Sequence, residues 1–495
     1  MRHIGYSQLR TRLALGTLPV MRPAVIRPVT RVQELDSEIS IPTTLAPKGD
    51  DLIGHALFAL KHEGTDLAIL AAASPHFAAA DLITALRATP AGRYIRKLCF
   101  LWETFTGKEL IDLPATLGTN PAPLFDPKAY VTGMPVRNRR WSIDMNGLGD
   151  FAHCPSVRRT AAIEACLATD PLGEAREYLK GFTSTELDRV LSWAYLHETR
   201  STYALEGEAP PGNKAEAFAA ILRQAGESHA LTEEYLTDLQ NAVVTTALAR
   251  EPAFRHTQNY LMNGAPGTRG VSYLPPPADL VHSIVGTIDR LANRKICSEL
   301  EPLVRASLVS FGFVYAHPFL DGNGRISRFL AHYTLRQSGA LPNGYILPLS
   351  VAMKRNESDY LQALQSFSRP ARELWSVQWI DRDEFNFEFK GHGSIYRFWD
   401  ATPCVEFMYK MAEETLRHDL QGEVEFLHCY DAVLREADAR FDIPGSTLSK
   451  LVRMAYDQGG VLSQNRRKQF IHQVPPEAFD FIEAAIRERL PKTAR

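Results

Sequence analysis

HPFLDGNGRISR, residues 317–328, packs one histidine, one acid, two glycines flanking an asparagine and two arginines into twelve positions. A helix that needed only a core face would not be built from these residues. Upstream, Leu303, Leu308, Phe311 and Tyr315 give an apolar stripe, and Pro318 discourages its continuation. A helix ending near His317 is therefore expected. A second helix is expected from Gly324 or Arg325, with Phe329, Leu330, Tyr333 and Leu335 on its core side. Between them lies DGNG, whose glycines let backbone N–H groups converge without Cβ obstruction. A helix N-terminus behind such a loop attracts anions. Arg325 and Arg328 add fixed positive forks. Asp321 supplies a hard oxygen ligand suited to magnesium, and His317 is a base near neutral pH. Capping or solvation would account for any one of these residues. Their coincidence at one loop points to a phosphate-transfer site.

Working outward, 495 residues allow two to four domains, each with its own core. The apolar fraction of 45% and charged fraction of 23% suit an ordinary soluble protein. A net charge of −2 argues against a global nucleic-acid-coating field, though not against a local patch. Arginines scattered through MRHIGYSQLRTRLALGTLPVMRP leave no apolar core for a signal peptide. LAILAAASPHFAAADLI is broken by Ser74, Pro75 and His76, so no membrane span is expected. The six cysteines (Cys99, Cys154, Cys166, Cys297, Cys404 and Cys429) form no CxxC pair. Buried free thiols in a cytoplasmic protein are expected.

Three regions are expected. Residues 1–180 read as mostly helical and of unknown role, with LPATLGTNPAPLFDPKAYVTGMPVRNRRW as an ordered loop or arm. Its Arg137, Arg139 and Arg140 read as a solvated surface cluster, with phosphate contact the alternative. Residues 181–372 hold the motif and a helix over about 184–207, and a hairpin is expected between FRHTQNYL and LPPPADL. Residues 373–495 resemble a winged helix-turn-helix. There STLSKLVRMAYDQ would be the recognition helix, and VLSQNRRKQFIHQ an extended pair whose Arg466, Arg467 and Lys468 make a basic wing. Such a domain would dock a protein or make weak DNA contacts.

HPFLDGNGRISR resembles the Fic/Fido signature HxFx(D/E)GNGRxxR at every specified position, and the likeness extends over residues 184–370. The resemblance implies a mostly α fold: a Fic-type helical bundle with a β-hairpin flap, between the helical N-terminal region and the winged-helix-like tail. It implies transfer of AMP from ATP to a Ser, Thr or Tyr hydroxyl of a target protein, with pyrophosphate leaving. On that likeness His317 is the base and Asp321 holds Mg2+. Gly322, Asn323 and Gly324 cradle phosphate oxygens, and Arg325 and Arg328 bind the β- and γ-phosphates. Phe319 fixes the loop from the core side. The flap around Gly270–Tyr273, including Val271 and Ser272, aligns the target as an added strand. Tyr360 is expected near the adenine, or as a plain core tyrosine. Family members that phosphorylate carry Lys where this chain has Gly324, so AMP transfer is favoured.

TYALEG, residues 202–207, places Thr202 and Glu206 on one helical face with Gly207 as the stop. A glutamate in a helix's last turn opposes the dipole and calls for a partner cation. The stretch resembles the family's inhibitory motif (S/T)xxxE(G/N), which implies that Glu206 pairs with Arg328 and blocks placement of the γ-phosphate. Two other functions stay open at this point. One is hydrolysis of AMP from a modified protein at the same site, and the other a DNA-binding regulator acting through the tail. The target protein is not legible, and a homo-oligomer is left open.

Overall fold

The computed structural model describes residues 2–210, 212–293, 299–342, 344–381 and 384–489. The fold is mostly helical with small sheets. Among the described residues no single helix is long and apolar enough to cross a membrane.

Helices Leu52–His62, Leu67–Ala73, Ala79–Ala88 and Arg93–Thr106 form the N-terminal core. The expected helical character holds for that part. On either side, residues 24–41 and 122–145 each form a three-stranded sheet, and Tyr130–Val131 pairs with Val157–Arg158. The stretch read as a loop or arm is thus partly strand, and buried Leu124 and Trp141 sew it to the helices. Arg137, Arg139 and Arg140 are exposed. Arg137 pairs with Asp144, and Arg140 reaches Glu103 at 3.0 Å and Glu109 at 2.8 Å.

The second core surrounds the motif. Its elements are α1 (Ser184–Leu205), α2 (Glu233–Val243), β1 (Leu261–Met262), β2 (Val271–Tyr273), α3 (Ala278–Asn293), α4 (Pro302–Ala316), α5 (Asn323–Gln337), α6 (Leu349–Arg355) and α7 (Glu357–Arg372). Thr183 and Glu186 form a capping box at the start of α1. Glu301 caps α4 through the Val304 N–H at 2.8 Å. Helix α4 is buried on nearly every face because α3, α5 and α8 (Thr402–Glu414) all pack against it. The expected hairpin is β1 against β2, antiparallel.

Packing runs past residue 372. Pro370 sits inside α7 rather than ending it. A second hairpin follows, β3 (Trp375–Asp381) and β4 (Glu384–Phe389), which the sequence reading did not separate from its surroundings. The motif core takes in residues from Val131 to Leu427.

A third core spans Cys429–Ile486 and includes α9 (Gly445–Asp457), α10 (Gln464–Phe470) and α11 (Pro476–Arg489). The helix expected over STLSKLVRMAYDQ is α9. The extended pair expected over VLSQNRRKQFIHQ is instead α10. The physical reason is local: Ser463 caps the Arg466 N–H, and QNRRKQF contains no β-branched residue. Arg467 is tied to Asp480 and Glu483, both at 2.7 Å.

Cys99, Cys154, Cys404 and Cys429 are buried free thiols and Cys166 is half-buried. Burial pushes Cys99, Cys154 and Cys404 up to about 12. Cys297 lies outside the described residues.

Candidate active site

Helix α4 ends on His317, whose backbone is left-handed (φ 48, ψ 59). A histidine tolerates this region better than most residues, though at a cost. Buried Arg255 fixes the turn, donating from Nε to the His317 carbonyl at 2.8 Å and from Nη2 to the Ala316 and Pro276 carbonyls. His317 Nδ1 lies 3.1 Å from the Val314 carbonyl. A carbonyl only accepts, so Nδ1 carries the proton and Nε2 keeps its lone pair. Burial pushes the imidazole down to about 4, against the opposing pull of the Val314 carbonyl. His317 is therefore neutral at pH 7.

The loop after it is held from inside. Asn323 accepts the Phe319 N–H at 3.0 Å and donates to the Phe319 carbonyl at 2.8 Å. Asn259 donates to that same carbonyl at 2.8 Å. Gln240 on α2 donates to the Asp321 carbonyl at 3.2 Å. Phe319 is fully buried, as expected. Gly322 caps α5 with φ 86, a conformation that favours glycine. The Asn323 side chain thus closes the loop, and only its backbone faces the helix N-terminus.

Both signature arginines are almost fully buried. Arg328 donates from Nε to the Thr202 hydroxyl, from Nη2 to the Thr202 carbonyl at 2.8 Å, and from Nη2 to Glu206 Oε1 at 2.6 Å. Thr202 and Glu206 therefore share one arginine, one turn apart. Burial works against the Glu206 charge, but the Arg328 guanidinium beside it prevails and holds the carboxyl below its usual range. Gly324 lies beneath this pair: a Cβ there would sit 2.0 Å from Glu206 Oε1. Arg325 donates to the Val243 carbonyl at 2.9 Å and to Asp321 Oδ1 at 3.0 Å, stacks over Tyr203, and meets Glu208 at 3.3 Å.

Tyr360 is buried against Phe311 and Phe407, with its hydroxyl 3.4 Å from Arg328 Nη1. That is the core-tyrosine placement, with the arginine as neighbour. Val271 is buried and its carbonyl accepts from Arg372 Nε at 2.9 Å. Ser272 bonds the Leu261 carbonyl at 3.1 Å across the flap. Sequence reasoning missed Arg255, Gln240, Asn259 and Glu208. The first three act on residues about 60–80 positions away, and no local pattern marks them. Glu208 had a signal, an acid just past TYALEG.

Asp321 is partly exposed and bonds the Gly322 N–H and Arg325 through Oδ1. Magnesium is bound through one or two carboxylates plus phosphate oxygens, so a lone carboxylate at this loop fits it. Among the described residues no group of three or more His, Cys, Asp or Glu could hold a metal alone.

Residues 230–335 match the Fic/DOC family model. Over 112 residues the chain is 32% identical to a protein named protein adenylyltransferase Fic from Drosophila grimshawi, covering 23% of this chain and 20% of that protein. It is 33% identical over 112 residues to the Drosophila melanogaster protein of the same name, again covering 23% and 20%. The match thus spans about a fifth of the length of these curated relatives. Among solved structures, a Fic family protein from Desulfovibrio desulfuricans aligns at 20% identity and a TM-score of 0.37, covering 65% of this chain and 87% of that one. Fic-1 from C. elegans aligns at 16% identity and 0.34, covering 76% and 94%. With the signature loop closed between α4 and α5, the family match over the same segment identifies a Fic/DOC domain at residues 230–335.

Proposed function

We propose that the chain is a protein adenylyltransferase, moving AMP from ATP to a hydroxyl of a target protein and of itself, and that Glu206 holds it in check. The observation that carries this reading is the 2.6 Å Glu206–Arg328 pair, set directly over Gly324 at the start of the signature helix. An acid placed there occupies an arginine that a phosphate would otherwise engage.

His317 Nε2 takes the proton of the incoming hydroxyl. The hydroxyl oxygen then bonds to the α-phosphorus, the bond to the β-phosphate oxygen breaks, and pyrophosphate leaves with that electron pair. The backbone N–H groups of Asn323 and Gly324, and that of Gly322 once it leaves Asp321 Oδ1, offer donors to phosphate oxygens at the helix N-terminus. Asp321 would hold Mg2+, which supplies charge neutralisation of the phosphates when bound. Arg325 and Arg328 serve as phosphate clamps once their carboxylates give way. Strand β2, around Val271 and Ser272, receives the target segment.

A second reading is removal of AMP from a modified protein by water at the same site. Glu206 favours it in one respect: it is held deprotonated and uses only Oε1 on Arg328, so Oε2 is left to orient a water. A DNA-binding regulator is less supported, since the expected basic wing is the helix α10 and Arg467 is ion-paired. The deciding experiment is incubation of wild type, Glu206→Gly and Glu206→Gly/His317→Ala with labelled ATP, followed by mass spectrometry. Label that rises in the first variant and vanishes in the second is expected. Absence of label in all three, with loss of AMP removal in Glu206→Gly, would give the hydrolytic reading first place.

A further inference from the structure

We propose that hairpin β3–β4 is a second target-selecting element, which takes an extended protein segment carrying a large apolar side chain beside the modified hydroxyl. This rests on the AMP-transfer reading and specifies its substrate class.

The strand register sets the chemistry of the hairpin. Trp375 faces Phe389, Val377 faces Phe387 and Trp379 faces Phe385. Side chains opposite each other across antiparallel strands share one face. All six apolar residues therefore lie on one side, and Ser376, Gln378, Asn386 and Glu388 on the other. The apolar side is turned to the flap: the Tyr260 ring lies 5.4 Å from Phe385 and 5.1 Å from Phe387. Val271, Leu274 and Trp375 close one small core between the two hairpins. Arg372 stitches them at the root, donating to Val271 at 2.9 Å and to Trp375 at 3.1 Å.

The apolar surface does not end there. Trp379 at the far end of that face is 58% exposed, Ile380 beside it, at the register shift before Asp381, is 56% exposed, and Met262 on β1 is 46% exposed. Leu320, beside Asp321, is 58% exposed. A chain of contacts links the hairpin to the signature loop: Asn259 donates to the Phe319 carbonyl at 2.8 Å, and its neighbour Tyr260 packs on Phe385. A segment laid along β2 with its hydroxyl at His317 would have its flanking side chains over this surface.

The occupant follows from what the flap lacks. Strand β2 is three residues long, and its Val271 carbonyl already accepts from Arg372. Few main-chain bonds are left for a target, and main-chain bonds carry no side-chain information. The exposed apolar end of the hairpin beside it, at Trp379 and Ile380, supplies both grip and selection. Burying one Leu, Ile or Phe side chain corresponds to about a 10- to 150-fold gain.

The test uses the full chain carrying Glu206→Gly, with labelled ATP and peptides holding one fixed Thr or Tyr and randomised flanks. Peptides with Leu, Ile or Phe near the hydroxyl are expected to dominate the labelled pool. Trp379→Ser/Ile380→Ser removes the two exposed large apolar side chains of the hairpin. It should reduce kcat/KM for those peptides about tenfold more than for alanine-flanked ones, leaving the KM for ATP in place. Labelled peptides without an apolar preference, or a preference that survives the double substitution, would overturn the hairpin assignment alone. No labelled product of any kind, the self-modified chain included, would overturn the transfer reading and the hairpin assignment with it.

Discussion

Replacing Glu206 by glycine removes one of the charge-assisted bonds on Arg328 and leaves the two to Thr202. A hydrogen bond between two charged groups contributes about 1.5–3 kcal/mol when buried. Glu206 is 35% exposed, and solvent screening brings the figure down to about 1–2 kcal/mol. That energy opposes every approach of a γ-phosphate to Arg328, so it divides the competent population by about 5 to 30. Self-modification in Glu206→Gly should therefore rise by that factor. Glu206→Gln, which keeps an acceptor but no charge, should fall between wild type and Glu206→Gly. The assay is incorporation of labelled AMP at saturating ATP, so that a change in nucleotide affinity does not enter. A rise below about twofold would mean that Glu206 is not what restrains the site. A rise that persists in Glu206→Gly/His317→Ala would mean that the label reaches the chain by another route.

Three further outcomes follow. Gly324→Ala places a methyl 2.0 Å from Glu206 Oε1, so it should lower Tm more in wild type than in Glu206→Gly, and equal losses would show that the methyl strains something else. Burial holds His317 and His153 near 4 against an ordinary 6.5. The unfolded chain then binds more protons between those values, so stability should drain as pH falls from about 6.5 to about 4, while AMP transfer by Glu206→Gly stays flat from about pH 8 to about pH 5 in single-turnover measurements; an activity midpoint near 6.5 would mean a solvated imidazole. Glu198 is buried on α1, 2.7 Å from His332 Nε2 and 2.7 Å from the Ser350 N–H. Glu198→Ala should cost about 3–5 kcal/mol and raise hydrogen exchange over residues 184–205; unchanged protection there would show that the helix is held by its apolar face alone.

The parts of this site that the sequence made legible are those that serve no ordinary packing role. Two glycines around an asparagine, two arginines and a histidine beside a proline do little for a core, and both flanking helices lie where the apolar stripe puts them. The Glu206–Arg328 pair was legible only through family resemblance, since the residues are 122 positions apart. Asn323 shows the limit of motif reading: its type was informative, but its side chain closes the loop. Tyr360 at helical spacing could not be told from a core residue, and it is packed as one. The wing was misread because Gly459 and Gly460 punctuate the chain as a hairpin would, while the helix cap Ser463 sits unremarked behind them. Hairpin β3–β4 was readable in principle. Trp375, Val377, Trp379 and Phe385, Phe387, Phe389 alternate at the strand period of two on either side of a polar turn.

The anchoring of α1 has a kinetic consequence. Glu198 is bound to α5 and α6 through His332 and Ser350, and Glu206 lies eight residues further on, about 12 Å along the axis. The helix is bolted to the domain as far as fully buried Thr202 and Tyr203, so freeing Glu206 requires only its own side chain and the left-handed Gly207 turn behind it to move. Side-chain and loop motions run from picoseconds to microseconds, whereas turnover in phosphoryl-group enzymes takes about 10 milliseconds to a second. Each ATP would therefore meet a time-average of latched and unlatched sites. Inhibition of this kind scales the steady rate without a lag, and progress curves begun with nucleotide should be linear from the first turnover.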